Sequence, residues 1–371
     1  MMSIRSTESG SDNYQNWQQR FSNDNGSTWS EWEPFHTDGA NLVQWQPGWI
    51  DPDNGRMLQM LMVAGNSWLS DAALRYHVST DGGHTYLVDA PVAIDVGQKN
   101  SLMIAATTCP PIRTQHQQGD RQGKILQPVS ITRDGTDFSD AAVLVGTWNQ
   151  DATISWELSQ RALADSSKSA IGFCEPTIAE MGDGRILMVS RGSNGGKADM
   201  PGYKWYSISQ DGGHNWSAPS PWTYADGSNF YSPSSCSQLI PCSNGSTYWI
   251  GNISAINVSG NSPRHPLVIG RIDPQNLMLV KSTVAVIDGL GDGDDPTLQL
   301  SNFFAYEDRL SHDIVIDVTR YHNSDSHWIG DSYTYRINVV PEPPSMPLAL
   351  SALAGGLAYA WRARKPNSMP K

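Results

Sequence analysis

An eight-residue pattern, Ser-x-Asp-x-Gly-x-Thr-Trp, recurs along this chain and constrains its fold more than any bulk property does. Ser22 to Trp29 (SNDNGSTW) fits it fully, Ser79 to Tyr86 (STDGGHTY) ends in tyrosine, and Ser209 to Trp216 (SQDGGHNW) has Asn215 in the threonine place. Thr132 to Phe138 (TRDGTDF) is a shorter, degenerate copy. Each piece suits a locked turn: the Asp carboxylate accepts turn N–H groups, glycine permits positive φ, and the closing aromatic covers the base of a hairpin. Asp24, Asp81, Asp134 and Asp211 are 57, 53 and 77 residues apart. A turn device at a period of about 50 residues, with room for four strands per unit, is the sequence mark of a β-propeller. The aspartates are therefore read as turn-locking groups rather than catalytic ones.

The stretch from Cys174 to Trp216 shows one such unit whole. Cys174 to Ala179 reads as a short strand, and Asp183-Gly184 supplies a tight turn. Ile186 to Ser190 is a β-branched, apolar second strand, and Tyr203 to Ser209 is a third of alternating character that runs into the octet. The same grammar divides the rest. Asn41 to Tyr86 gives a second blade, Ser101 to Gly146 a third with a polar excursion at Arg113 to Gln122, Ser232 to Val286 a fifth, and Leu298 to Val340 a sixth. Residues 1 to about 20 are polar, with no signal-peptide pattern, and the first octet follows almost at once. The expectation is an all-β, six-bladed propeller over 1–339 whose first blade is incomplete, the chain either lacking an N-terminal piece or having a misassigned start. Helical periodicity is scarce, and its best candidate is Trp156 to Ala164.

Bulk properties exclude more than they choose. The formal net charge of −12 argues against a nucleic-acid footprint. The four cysteines, Cys109, Cys174, Cys236 and Cys242, show no zinc spacing; Cys174 with Cys236 is a possible pair, and buried small apolar residues are the plainer reading. No HExxH-like histidine pair occurs, so neither a metal site nor a cofactor is expected. The acidic loop Gly289 to Pro296 reads as a solvated linker, with a calcium site as the alternative, since Asp292, Asp294 and Asp295 offer oxygen ligands without EF-hand spacing.

With these motifs in view, the chain up to Val339 resembles the sialidase superfamily, in particular its branch of Asp-box (BNR) repeats, the octet being the Asp-box. The resemblance implies a glycoside hydrolase that binds an anionic sugar through three arginines, with a tyrosine nucleophile assisted by a glutamate and an aspartate as acid/base. Planar, bidentate guanidinium groups suit a carboxylate. Glu175, in GFCEPTI, falls at the family's glutamate; Arg191 ends the next strand at the second arginine; Arg264, in NSPRHPLVIG, fits the third. The first arginine and the acid/base aspartate belong to a region ahead of the first octet. The nucleophile should open the last blade, where Leu300-Ser301-Asn302 stands; Tyr306 is the nearest phenol and becomes the candidate. Two readings stay open: a sialidase-like exo-glycosidase acting on terminal sialic or similar acidic sugars of glycans, and a non-catalytic propeller binding anionic glycans or a protein, with another glycoside-cleaving activity also possible on this scaffold.

Residues 340–371 resemble a PEP-CTERM sorting signal: Val-Pro-Glu-Pro at 340 to 343, an apolar run from Met346 to Trp361, then Arg362, Arg364 and Lys365. The resemblance implies an apolar C-terminal helix, export, membrane or envelope contact through the tail, and retention at the cell surface. A monomer is expected.

Overall fold

The computed structural model describes residues 1–339 apart from 9–13, 36–41, 66, 70, 98, 106–107 and 325–326. The apolar helix and sorting tail expected at 340–371 lie outside the described residues.

Six antiparallel sheets follow one another along the chain as the blades of a propeller. Blade 1 is Met2–Glu8, Tyr14–Phe21 and Glu33–Pro34. In blade 2, Leu42–Trp45 and Trp49–Ile50 share the inner position against Met57–Ala64, followed by Ala73–Ser79 and Val88–Pro91. Blade 3 likewise has a divided inner strand, Leu102–Met103 and Ile112–Arg113, against Ile125–Thr132, then Ser139–Trp148 and Ile154–Leu158. Blade 4 is Cys174–Glu180, Ile186–Arg191, Lys204–Ser209 and Ser220–Pro221. Blade 5 is Gln238–Pro241, Thr247–Asn252, Leu267–Arg271 and Ala285–Asp288, and blade 6 is Phe303–Glu307, Ile314–Ser324 and His327–Ile337. Helix among the described residues is limited to the 3₁₀ turns Gly119–Arg121 and Lys281–Thr283.

One expectation needs correction. The helix candidate Trp156 to Ala164 begins inside the outer strand of blade 3: Ile154, Trp156 and Leu158 alternate with polar residues and pack on the core, a period of two rather than 3.6. The opening residues are tied to the next blade, Met2, Ile4 and Trp17 packing against Val43, Trp45 and Leu61 of blade 2. Blade 1 has three strands; placed by its Asp-box, they are the second, third and fourth, and none of the described residues forms the innermost one.

Middle strands read as unbroken apolar runs because each blade is covered on both faces. In Met57–Ala64, Leu58, Met60 and Met62 face blade 3, whereas Leu61 and Val63 face blade 1. In Ile186–Arg191, Ile186 and Met188 face blade 3, while Leu187 and Val189 face blade 5. Apolar clusters of this kind fill all five seams between consecutive blades. The closing seam, from blade 6 to blade 1, is polar among the described residues: Asn25 Nδ2 donates to Asp308 Oδ2 at 2.9 Å, and Arg20 lies in the field of Asp317.

Three octets form one repeated hydrogen-bond device. Asp24 accepts from Thr28 N (2.8 Å), Thr28 Oγ1 (2.6 Å) and Ser22 Oγ (2.9 Å). Asp81 does the same with Thr85 and Ser79, and Asp211 with Ser209 and Asn215, whose side-chain amide replaces the threonine hydroxyl at 2.6 Å. All three join the third strand of a blade to the fourth. The degenerate copy does not: Thr132 to Phe138 joins the second strand of blade 3 to the third, on the opposite face, and is held by Thr136 Oγ1 donating to Arg133 O at 2.7 Å. The box position of blade 3 is filled by Asn149 to Thr153, where Asp151 accepts from Thr153 N and Oγ1. The boxes thus mark one face of the disc, and the loops between second and third strands mark the other, called the mouth below.

Candidate functional site

Blade 4 brings its chemistry to the mouth by strand register. Cys174 pairs with Arg191 and Arg191 with Lys204, so the mouth ends of its first three strands lie in one row, far from the Asp-box that follows Ser209. Glu175 leaves the ladder here. The register shifts between Cys174 and Thr177, Pro176 brings no N–H, and Glu175 adopts φ +47°, a conformation uncommon for a residue with a Cβ. Its freed N–H donates to Ser130 Oγ of blade 3 at 2.8 Å, while Cys109 Sγ approaches its carbonyl at 3.5 Å. The bulge therefore aims the side chain while the neighbouring blade holds the backbone.

Arg191 Nη1 donates to Glu175 Oε2 at 2.7 Å, with the two side chains 19% and 24% exposed. Arg191 Nε donates to Ser234 Oγ at 2.8 Å. Blade 5 supplies Arg264 from the loop ahead of Leu267–Arg271: its Nε donates to Ser234 O at 3.1 Å, and its Nη1 to Ser301 Oγ, at the entry to blade 6, at 3.1 Å. Asn252, fully buried, ties this loop to blade 6 by donating to Arg264 O, Pro266 O and Leu300 O. Glu175, Arg191 and Arg264 thus meet at one mouth, although they come from two blades.

Two further groups complete the cluster. Cys236 Sγ donates to Glu175 Oε2 at 3.1 Å, and the fully buried Lys204 donates through Nζ to Ser235 O. Neither was singled out from the sequence as a site residue. Cys174 and Cys236 are both free thiols, so the possible pair is not formed. Burial raises both thiols to about 12. Burial alone would raise the Glu175 carboxyl as well, but the Arg191 guanidinium beside it reverses this and holds the group below its ordinary value. Arg191 is raised in turn: burial, the largest single influence, would lower it, but Glu175 with the neighbouring Cys174 and Cys236 together outweigh that. The site is an ion pair, a second guanidinium and an ammonium arranged around one short segment, Ser234 to Cys236.

Tyr306 is not part of it. Phe303–Glu307 runs from the mouth, where Ser301 meets Arg264, toward the Asp-box face, where Glu307 accepts from Ser243 in the turn of blade 5. Tyr306 stands near that far end, stacked on Phe304, and burial together with Asp317 raises its phenol to about 12. On the mouth side, Tyr203 and Tyr231 stack on each other at 5.9 Å, and neither hydrogen-bonds to Glu175. Arg320 is engaged elsewhere, with Asp288 and Asp294. That pairing anchors the acidic loop, expected to be a solvated linker, to blade 6, and Asp295 accepts from Thr297 N and Oγ1.

The BNR repeat-like domain family matches residues 51–278, a stretch holding Glu175, Arg191 and Arg264. No curated protein matches the chain. Among solved structures, the NanB sialidase of Streptococcus pneumoniae is similar at a TM-score of 0.57 and 14% identity, over 88% of this chain and 63% of NanB. The chain therefore spans about three-fifths of that relative. The intramolecular trans-sialidase of Ruminococcus gnavus, solved with oseltamivir carboxylate, gives 0.61 at 12% identity, over 91% of this chain and 94% of its own. A Trypanosoma rangeli sialidase gives 0.56 at 15%, over 90% of this chain and 51% of its own. Identities this low establish likeness of fold alone. Together with the blade count and the repeated Asp-box, these matches show that the chain belongs to the BNR repeat-like domain family and has the six-bladed propeller fold of the sialidases.

Proposed function

We propose that the mouth binds the carboxylate of a terminal acidic sugar on a glycan, sialic acid or a sugar acid like it, with Arg191 and Arg264 as its cationic ligands. The observation that carries this reading is the shared anchor: both guanidinium groups donate through Nε to Ser234, which holds two cations from different blades at one short segment. Two fixed guanidinium groups recognise a planar carboxylate better than a mobile ammonium pair would. In a chain of net charge −12, such a positive spot draws in an anion only at close range.

Binding is the function that the geometry favours. A retaining sialidase needs a phenol in hydrogen-bond reach of its glutamate, and the described residues give Glu175 an arginine and a thiol as partners instead. Hydrolysis of the sugar's glycosidic bond is the second reading, supported by Glu175 at the mouth and by the sialidase and trans-sialidase neighbours. Titration calorimetry of the full chain with 3′-sialyllactose tests the first reading, with lactose as the neutral control. Release of 4-methylumbelliferone from its sialoside tests the second. Export and surface retention through residues 340–371 belong to the same proposal, and fractionation of producing cells with and without those residues tests them.

A further inference from the structure

We infer that Lys204 is a positioning residue for the anion site: its buried ammonium holds the segment Ser234 to Cys236 at the place where Arg191 and Arg264 share it. This rests on the acidic-sugar reading above. Three successive residues of the segment are each bound by a different charged side chain. Ser234 accepts from both arginines, Ser235 O accepts from Lys204 Nζ, and Cys236 donates to Glu175. Ser234 and Ser235 are themselves buried, at 3% and 0% exposure, so the segment has no water to replace those partners. A lysine with no exposed surface is rare, and an ammonium bound to a backbone carbonyl alone is under-compensated there. Its cost is met only if the charge is useful where it stands. It opens the third strand of blade 4, paired in register with Arg191 and within the field of Glu175 and Cys236, where it adds a third positive charge to the two guanidinium groups.

The groups that face Lys204 come from each surrounding element: Cys174 and Glu175 from the inner strand of blade 4, Arg191 from its second strand, Cys236 from the approach to blade 5 and Cys109 from blade 3. Burial lowers the lysine to about 8. Burial raises the Cys174 and Cys236 thiols to about 12 and the Cys109 thiol well above its ordinary value, while Glu175 is lowered and Arg191 is raised, so Lys204 alone among them changes charge between pH 7 and 9.5. One unit charge lost at about 10 Å, at an effective dielectric of about 20, weakens binding of an anion by about tenfold.

The test uses the full chain as wild type, Lys204→Arg and Lys204→Met, with N-acetylneuraminic acid as the calorimetric probe at pH 7 and pH 9.5. Wild type should bind about tenfold more weakly at pH 9.5, Lys204→Arg should hold its affinity across the interval, and Lys204→Met should bind weakly and equally at both values. Equal affinity of Lys204→Met and wild type at pH 7, or equal losses in wild type and Lys204→Arg, would overturn the inference. If wild type does not bind the sugar at pH 7, the acidic-sugar reading fails, and a sugar-free readout decides on Lys204: alkylation of Cys236 by iodoacetamide at pH 7, followed by mass spectrometry. A faster rate in Lys204→Met that returns to the wild-type rate in Lys204→Arg supports a segment held by the cation; an unchanged rate in Lys204→Met overturns it.

Discussion

Arg191 and Arg264 come from different blades, yet both donate through Nε to Ser234, one to its hydroxyl at 2.8 Å and the other to its carbonyl at 3.1 Å. The asymmetry makes the two separable. Ser234→Ala removes the hydroxyl that fixes Arg191 and keeps the carbonyl that fixes Arg264. Affinity for an acidic sugar should fall by about tenfold, the worth of one hydrogen bond to a charged group. Arg191→Ala should cost about a hundredfold, since the ligand itself is removed. Calorimetry on the two variants checks the order; a Ser234→Ala loss equal to that of Arg191→Ala would mean that Arg191 depends wholly on this anchor.

Tyr306 gives a negative control. Its phenol stands toward the Asp-box face, about three residues, or roughly 10 Å, down the inner strand from Phe303. Tyr306→Phe should leave both sugar affinity and any sialoside cleavage within about twofold of wild type. A cleavage activity abolished by this substitution would require the strand to present Tyr306 at the mouth.

The Asp-box carboxylates act on stability. Hydrogen bonds from Thr28 lower Asp24 to about 2, and the matching bonds from Thr85 lower Asp81 as well. A carboxyl whose folded value is depressed contributes stability that is present above its unfolded value, near 3.8, and lost as pH falls through the folded value. The double variant Asp24→Asn with Asp81→Asn should therefore melt a few degrees lower at pH 7. Its deficit should shrink as pH falls from about 4 to 2. A deficit independent of pH would show that shape, not charge, is what the box requires.

Lys204 runs the other way. Its folded value near 8 lies below the ordinary 10.5, so between these the unfolded chain binds more protons and stability rises with pH. The stability of wild type relative to Lys204→Met should move in favour of wild type from pH 8 to about 10.5, just as sugar affinity declines. Urea unfolding at pH 7.5 and pH 10 measures it; a constant difference would mean that Lys204 titrates normally in the folded protein.

The propeller was legible because its repeated device is local. Asp24, Asp81 and Asp211 each close a turn within eight residues, and such turns survive in sequence as fixed spacings. The copy at Asp134 has similar letters, but the strands around it, Ile125–Thr132 and Ser139–Trp148, place it on the other face, which spacing alone does not encode. Glu175 and Arg191 were named through the resemblance alone, and the structure pairs them at the mouth end of one hairpin. Lys204 was not named: it opens an alternating strand beside Trp205 and looks like a solvated charge until Ser235 of the next blade covers it. Tyr306 lies away from the mouth for a related reason, since the end of a strand that faces the mouth follows from blade order and not from distance to a motif.

An acidic-sugar site built on Arg191 and Arg264 has to distinguish a sialylated sugar from a neutral one. Calorimetric titration of the full chain at pH 7 with 3′-sialyllactose and with lactose, repeated on Arg191→Ala, tests it most directly. The expected result is binding of the sialylated sugar only, weakened about a hundredfold by the substitution while the variant melts cooperatively. Equal binding of the two sugars, no binding of either, or an Arg191→Ala variant that binds 3′-sialyllactose as wild type does would contradict it.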